Sequence, residues 1–564
     1  MFRYLVESAL NEVWDGFQEL AEQYPRLAPL LARDVNDDVT ELAQSTAFVL
    51  ASIDERLHDD GQTLLRPLVA RALPECLRPR PSSTILELPP SATHSDNAQG
   101  ATFEAGGAPI PLPFVVVWPV HPGPYAIQNV RVDRPNALLQ TLHVVLVGRD
   151  GVSLGNVLPE RIRFFVHVGS GGAARAIELL HALRTARDPI AFATFDSAGR
   201  PVARGNLPPD AFAWVRVDTD EPSLVSAPVD RFRASSLLRD LFEFPESYGF
   251  CEILVGPCRS EKVARLELIL PLGRVVEHAS SMNPRSLRLF CAPATNQYEI
   301  PIEPLRAEAG PEWPLVAEER AHAEILHVQS IHAEGRDGPV PIVSLEAPDR
   351  PHPIEPGLLY YRLEQAIARD ESRTIVRLSL ANRDRFRAPA PGTLEGTVLA
   401  SDGTRTQNLG VGDVGGRNIT RVSPSRRAML GLAMRMNAFA RMSPRRFAEP
   451  AHLNAFLRLH AAQGLYDGML RMPSCVHMTH RTERRSLSGA NWQTGDDFTL
   501  RIESASCSDA EAWLQCKLLA RAIAERNEKL RYSRLTVLRE KDRGLEAFAR
   551  YDPRDGERHS FPLG

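Results

Sequence analysis

Hydrophobic residues follow a helical period at the start of the chain. Val6, Leu10, Val13, Phe17 and Leu20 recur at alternating steps of four and three residues. This spacing keeps all five on one face of an α-helix. A helical segment this short cannot bury such a stripe by itself. We therefore expect the rest of the chain, or another subunit, to cover it.

The same period continues in the residues that follow. Val49, Ile53 and Leu57 share one face of a second predicted helix, and a third helix comes after it. Pro79 and Pro81 then favour an extended chain. The residues predicted to contact a partner are therefore Val6, Leu10, Val13, Phe17, Leu20, Val49, Ile53 and Leu57.

Beyond residue 82 the helical period gives way to short apolar segments typical of β-strands. IPLPFVVVWPV is too short and too rich in β-branched residues to be a helix, and LHVVLVG, RIRFFVHV and RLELILPL continue the β pattern. Helices are predicted again over 173–187 and 509–527, where the spacing returns to three and four. Residues 91–111 and 388–418 are rich in small residues and proline, which predicts connections without regular structure.

These elements predict a multidomain α+β fold. An N-terminal helical segment precedes mainly β domains with a few helices, and an α/β domain closes the chain. The length of 564 residues is too great for one core and indicates about three or four domains. The predicted domains are 1–81, 82–230, 231–400 and 401–564.

Composition narrows the classes of function. A net charge of -4 gives no global attraction to nucleic acid or to an anionic membrane. The seven cysteines are odd in number and irregularly spaced, which favours buried thiols in a reducing compartment over a disulfide framework. No segment approaches the roughly 20 apolar residues of a membrane helix. We therefore expect a cytoplasmic protein without direct membrane insertion.

An aromatic cluster around one proline is the most informative group in the middle of the chain. Phe242, Phe244, Tyr248 and Phe250 flank Pro245. We predict a strand that begins at Tyr248, and in extended chain the even-numbered aromatics share one face. Such a face is more often core than interface, and both possibilities suit a scaffold.

Two segments are candidates for enzyme chemistry. Gly169–Gly172 lies between a predicted strand and a predicted helix, where glycines can hold a phosphate. No Lys-Ser or Lys-Thr follows, so an ordinary turn is the preferred interpretation. Cys475, His477 and His480 could bind zinc, but no second Cys/His pair lies nearby, and a β-hairpin with ordinary side chains is preferred. We therefore predict no cofactor and no enzyme activity.

The N-terminal segment AFVLASIDERLHDDGQTLLRPLVARALPECLRPRPS resembles the signature of the TssF family, a wedge component of the type VI secretion baseplate. In that family an apolar helix leads into acidic residues, a further helix and a proline-rich exit. The matching positions are Ala47, Phe48, Leu50, Ala51, Asp59, Asp60, Leu73, Pro74, Leu77, Pro79, Pro81 and Ser82.

Later segments extend the resemblance over nearly the whole chain, in islands. The aromatic block matches a family motif that includes Phe-Pro-Glu, a strand end matches Trp-Pro, and a turn matches Asn-Arg-Asp. The residues assigned to these structural motifs are Trp118, Pro119, Phe242, Phe244, Pro245, Glu246, Tyr248, Phe250, Asn382, Arg383 and Asp384.

The resemblance implies a structural subunit. It implies that two copies of this chain pair with one TssG-like subunit to form a wedge, and that six wedges surround a VgrG-like spike hub. It also implies contacts with TssK-like and TssE-like baseplate proteins. Two other classes of function remain open. One is the wedge protein of an extracellular injection particle or a phage tail, and the other is a zinc- or nucleotide-binding enzyme.

Overall fold

The fold is given by a computed structural model. Of the first 77 residues it describes 6, 9–10, 13–14, 17–18, 20–21, 24–26, 29 and 39–50. It then describes 78–426, 453, 457 and 475–555, apart from 92–96, 107–109, 137–138, 169–171, 226–232, 307–311, 336–337, 345–359, 368–373, 382–392, 489–490, 504–506, 528–530 and 542–543.

The chain divides into two compact units, each assembled from separate stretches of sequence. The smaller unit contains Met1–Pro79, Glu299–Ala400 and Arg427–Arg435. The larger unit contains Arg80–Tyr298, Ser401–Arg426 and Met436–Gly564. Strands outnumber helices in the described residues, and several separate sheets are present, which confirms the predicted α+β class. The four continuous domains proposed from the sequence stay a prediction.

Three sheets and three helices form the first part of the larger unit. The sheets have the strand orders β1-β13-β3-β2, β12-β6-β10-β9 and β4-β5-β11-β7-β8. The strands are β1 (Ser83–Glu87), β2 (Thr102–Ala105), β3 (Leu112–Val116), β4 (Tyr125–Asp133), β5 (Gln140–Gly148), β6 (Arg161–Val166), β7 (Ala191–Phe195), β8 (Pro201–Asn206), β9 (Phe212–Trp214), β10 (Phe250–Leu254), β11 (Arg265–Leu272), β12 (Leu287–Arg288) and β13 (Cys291–Thr295). The helices are α1 (Leu154–Val157), α2 (Gly172–Arg184) and α3 (Arg233–Glu243).

Alternation of side chains explains the central pair of the five-stranded sheet. β11 and β5 are antiparallel, with Leu266 opposite Leu146 and Leu268 opposite Val144. These four side chains are buried, while their neighbours along each strand are half-buried. Because side chains in a strand point to opposite faces in turn, the apolar positions of both strands meet on one face of the sheet.

The described residues 475–555, in the C-terminal part of the larger unit, form a four-stranded sheet with one helix. The strand order is β23-β24-β25-β26, and β24 and β25 are parallel. A parallel pair needs a long crossover, and α4 (Asp509–Glu525) provides it. Ser508 and Glu511 form a capping box at the start of α4. The strands are β23 (Cys475–Ser488), β24 (Asn491–Glu503), β25 (Tyr532–Lys541) and β26 (Gly544–Asp555).

The smaller unit contains two further sheets. One has the order β14-β22-β17-β18, with β15 also paired to β22, and the other has the order β16-β21-β20-β19. Residues 39–50 of this unit are helical, as are the described positions 6–21. The strands are β14 (Tyr298–Pro301), β15 (Leu305–Arg306), β16 (Glu312–Pro314), β17 (Glu324–Gly335), β18 (Gly338–Pro341), β19 (Val343–Ser344), β20 (Tyr360–Ile367), β21 (Thr374–Ala381) and β22 (Thr393–Ser401).

Three sequence-based predictions of local structure are wrong. The predicted connections 91–111 and 388–418 contain β2 and β22, because pairing with β3 and with neighbouring strands stabilises extended chain where composition favours a loop. The predicted strand from Tyr248 begins at Phe250 instead, because Pro245–Tyr248 forms a 3₁₀ turn. The even spacing of Phe244, Tyr248 and Phe250 therefore does not arise from one strand.

An irregular segment of the larger unit, Ser401–Arg426, lies along β1, and we call it the strap. Its backbone pairs with that of β1 in several places. The amides of Ser423 and Ile419 donate to the carbonyls of Ser83 and Ile85 at 2.8 and 2.9 Å. The amide of Glu87 donates to the carbonyl of Arg417 at 3.0 Å. The strap thus satisfies the edge of β1 that β13 leaves open.

A hydrophobic cluster forms part of the core of the larger unit. It combines residues from separate strands and loops with the aromatic block that follows α3. Its members are Ile85, Trp118, Phe165, Val215, Leu224, Phe244, Phe250 and Cys291. In the described residues, no helix is both long and apolar enough to cross a bilayer.

Phe244→Ala is expected to destabilise the protein by about 3 to 5 kcal/mol, because it removes a buried ring and leaves a cavity. Urea unfolding followed by fluorescence measures the change. Leu139→Ala is a control in the same unit, since Leu139 is 49% exposed and should cost less than about 0.5 kcal/mol. Equal unfolding midpoints for Phe244→Ala and the unmodified chain would contradict the assignment.

Candidate functional site

A buried carboxylate in α3 is paired with two guanidinium groups. Asp240 has no exposed surface, and each of its two carboxylate oxygens contacts a different arginine, Arg80 and Arg216. Arg216 is likewise fully buried, and Arg80 is 4% exposed. Charged groups are found at such depth only when they are paired and hydrogen-bonded.

Neutral donors complete the environment of Asp240. The Ser223 hydroxyl and the Leu224 amide donate to its Oδ2 at 3.3 and 3.2 Å. Burial alone would raise the pKa of Asp240, but the guanidiniums of Arg216 and Arg80 outweigh this effect. The pKa of Asp240 therefore lies below its ordinary value, and the side chain is a carboxylate.

The pairing extends along α3. Arg80 Nε lies 3.0 Å from a Glu243 oxygen, and Arg239 Nε donates to the other oxygen of Glu243 at 2.8 Å. We call Arg80, Arg216, Arg239, Asp240 and Glu243 the Asp240 cluster. It links the segment that follows Pro79 to a helix more than 150 residues further along the chain (240 − 80 = 160).

Arg216 connects this cluster to the aromatic motifs. Its guanidinium lies over the Tyr248 ring at 4.8 Å and the Trp118 ring at 5.4 Å, and it donates to the Ser247 hydroxyl at 2.7 Å. The φ angle of Arg216 is 69°, a left-handed conformation that costs about 1 kcal/mol or more in a residue with a side chain. The surrounding contacts hold the backbone there.

Trp118 and Pro119 lie directly against this network. The Trp118 indole donates to the Pro222 carbonyl at 3.2 Å and packs edge-on against the Phe250 ring at 5.2 Å. Pro119 is half-buried, and its carbonyl accepts from Arg163 at 3.5 Å. The Trp-Pro motif and the Phe-Pro-Glu block, which lie far apart in the sequence, are therefore neighbours in space.

The Phe-Pro-Glu block forms the other side of the network. Phe242, Phe244, Pro245, Tyr248 and Phe250 are buried. The Tyr248 hydroxyl donates to the Leu237 carbonyl at 2.7 Å. The block thus closes the C-terminal end of α3 and packs it against the core.

Glu246 is half-buried, and burial raises the pKa of its carboxyl above the ordinary value. Asn382, Arg383 and Asp384 lie outside the described residues.

The last helix of the chain reaches the same place. Both carboxylate oxygens of Glu525, the final residue of α4, accept from the Ala234 amide at 2.8 Å. A carboxylate there satisfies an amide of the first turn of α3 and complements the helix dipole. Arg521 of α4 donates to the Arg216 carbonyl at 3.1 Å. Three distant parts of the chain therefore meet around α3.

The predicted partner-contact residues are incompletely buried. Val6, Leu10, Val13 and Phe17 are half-buried, and Leu20 is 39% exposed.

In the helical residues 39–50, only Ala43 and Ala47 are buried, while Val49 is 56% exposed. Leu42, Phe48 and Leu50 are also exposed. Ile53 and Leu57 lie outside the described residues.

The structure describes only part of each of the two segments that were candidates for enzyme chemistry. Gly172 begins α2, whereas residues 169–171 are outside the described part of the chain. Cys475, His477 and His480 belong to β23, which pairs with β24 as a long hairpin, and their side chains are outside the described part. Among the described residues, no group of three or more His, Cys, Asp or Glu side chains could hold a metal ion.

Comparison with known proteins decides the family. The family model described as "Type VI secretion system, TssF" matches residues 7–558. This chain belongs to the TssF family. The comparison with curated proteins found no match.

Solved structures that resemble this TssF-family chain include two baseplate assemblies. One chain of a TssK-TssF-TssG baseplate subcomplex of the type VI secretion system, solved by cryo-electron microscopy, matches with a TM-score of 0.67 at 15% identity. The match covers 92% of this chain and 99% of that one, so the two share a fold. A chain of the type VI secretion baseplate complex gives a TM-score of 0.46 at 14% identity, covering 97% and 98%.

Asp240→Asn is expected to destabilise the larger unit by about 3 to 5 kcal/mol, because it leaves two buried guanidiniums without their shared counterion. The midpoint of urea unfolding measures this change. Asp220→Asn is the matched control, since Asp220 is 82% exposed and its ion pairs with Arg233 and Arg521 should contribute less than about 1 kcal/mol. If both variants unfold alike, the Asp240 cluster does not stabilise the fold as argued.

The lowered pKa of His181 in α2 predicts that the free energy of unfolding depends on pH. His181 is buried against the Trp513 ring at 5.3 Å, and burial together with Arg274 and Arg184 lowers its pKa from 6.5 to about 4. The folded state therefore takes up this proton at lower pH than the unfolded state. The effect of His181 on the free energy of unfolding is therefore constant above pH 6.5. As the pH falls from 6.5 toward 4, the unfolded state binds the proton first, and the free energy of unfolding decreases by about 3 kcal/mol.

His181→Phe keeps a ring in the core without a titrating group. The difference in unfolding free energy between this variant and the unmodified chain should change across that pH range and stay constant above it. A difference that is independent of pH would show that the pKa of His181 is the same in the folded and unfolded states, and would contradict the lowered pKa.

Proposed function

We propose that this chain is a structural wedge subunit of a type VI secretion baseplate and has no enzyme activity. The observation that carries the proposal is the TssF family match over residues 7–558. The shared fold with a chain of the TssK-TssF-TssG subcomplex supports it. On this proposal the chain is cytoplasmic and binds TssG-like and TssK-like subunits.

The finer arrangement follows the family resemblance. Two copies of this chain pair with one TssG-like subunit, and the resulting wedges contact TssE-like and VgrG-like proteins around the spike. Such a subunit needs surfaces that hold one arrangement before contraction and another after it. Its work is therefore mechanical, and a catalytic centre is not required.

The exposed apolar residues near the N-terminus support a role in assembly. Leu42 and Val49 are seven residues apart, so they lie on one side of the helical segment 39–50. They are 58% and 56% exposed, whereas the small side chains Ala43 and Ala47 are buried. Large apolar side chains that remain in water while alanines are buried indicate a surface for a partner helix.

Val13→Asp/Phe17→Asp is expected to abolish co-purification with the TssG-like partner, because two charges would enter the apolar stripe of the first helix. Affinity capture after co-expression measures the complex, and far-UV circular dichroism shows that the chain remains folded. Leu139→Asp/Val340→Asp is the control, since these exposed side chains lie elsewhere. Retained capture by the Val13/Phe17 variant would refute this assignment of the interface.

A further inference from the structure

The strap carries an apolar side chain at the tip of a glycine-rich turn. Val411 is 64% exposed, the largest value among the described large hydrophobic residues. Gly410 and Gly412 flank it, so no neighbouring side chain shields it. A single exposed valine is ordinary on a protein surface. The hydrogen bonds that fix this turn, together with the charges along the strap, indicate that Val411 belongs to a binding surface.

Hydrogen bonds from two side chains fix the turn. The Gly410 amide donates to Asp413 Oδ2 at 2.7 Å. Asn418, which is 2% exposed, donates through Nδ2 to the Gly410 carbonyl at 2.7 Å and accepts from the Val414 amide at 2.9 Å. The Gly412 amide donates to the Asn418 carbonyl at 3.0 Å. The backbone on both sides of Val411 is therefore held in place.

The base of the turn is attached to the sheet that contains β2. The Gly415 amide donates to the Glu104 carbonyl, and the Gly106 amide donates to the Asp413 carbonyl, each at 3.0 Å. Val414 is fully buried there. Gly415 and Gly416 have φ angles of 56° and 67°, which glycine adopts without strain. The backbone of the turn is thus fixed, with the Val414 side chain buried and the Val411 side chain exposed to solvent.

Rigid presentation of an apolar side chain is what a binding anchor requires. Ordering a flexible loop on binding costs free energy, and a turn that is already fixed avoids most of that cost. Removing an exposed apolar side chain from water on binding also favours association. The turn has the physical properties of such an anchor, and its surroundings indicate the partner.

Arginines precede and follow this turn along the strap. Arg405 and Arg421 are exposed, and Arg417 is half-buried with its guanidinium over the Phe103 ring at 5.6 Å. Among the described residues, no carboxylate forms an ion pair with these three positive charges of the strap.

We propose that the strap docks on an acidic protein surface with an apolar pocket, which receives Val411 while its carboxylates pair with the strap arginines. This inference rests on the proposed function and assigns the surface to a baseplate partner. A protein partner fits better than nucleic acid, because an apolar anchor and the exposed Asp413 lie at the tip where a phosphate backbone would approach. The net charge of -4 also opposes general binding to nucleic acid.

The test is co-expression of the full chain with the TssG and TssK homologues of the same organism, followed by affinity capture and quantitation of each partner. Val411→Asp should reduce capture of one partner by about tenfold or more. Arg405→Glu/Arg421→Glu should reduce capture of the same partner, and the complex should weaken as salt is raised. Val202→Asp and Arg204→Glu on β8 are matched controls, exposed in the same unit, and should capture normally.

The outcomes separate this inference from the function on which it rests. If the unmodified chain captures neither homologue, the baseplate assignment fails, and the inference fails with it. If the unmodified chain captures its partners and the strap variants do so equally well, only the inference is overturned. A chain that binds short duplex DNA, and loses that binding in the arginine variant, would also overturn it, because the strap would then be a nucleic-acid surface.

Discussion

Asp240 is the residue on which the larger unit depends. Its carboxylate is buried between the guanidiniums of Arg80 and Arg216. Removing ions from water is costly, and their attraction offsets that cost only when the geometry and the remaining hydrogen bonds are satisfied. We therefore expect the cluster to favour one arrangement of α3, of the chain that follows Pro79 and of the turn that carries Arg216.

Sequence patterns predicted helices and strands well where the pattern of apolar residues within the segment was sufficient to determine its secondary structure. LHVVLVG and RLELILPL predicted β5 and β11 as short apolar segments, and the three-and-four spacing predicted α2 and α4. The segments β2 and β22 were missed because their composition favours loops and only pairing with other strands stabilises them. The aromatic block was recognised as a group, but its 3₁₀ turn depends on local backbone geometry that the even spacing does not contain.

The residues that organise the site could not be found from the pattern. α3 is buried on all sides, including Arg239, Asp240 and Glu243, so its charged residues do not mark a solvent face. Their partners lie far away along the chain. Tyr248 gave a useful signal as part of the aromatic block around Pro245, which indicated a packed core, whereas Trp118 was assigned through the family resemblance alone. Arg216, which stacks on both rings, carried no signal of its own.

The contact between Glu525 and the first turn of α3 has a consequence for biosynthesis. The two residues are separated by 291 positions. At translation rates of about 5 to 20 residues per second, roughly 15 to 60 s pass between the emergence of Ala234 and that of Glu525 from the ribosome. During that interval α3 has no cap from α4, while its buried charges are already synthesised. The nascent larger unit therefore completes its fold only after α4 has been synthesised.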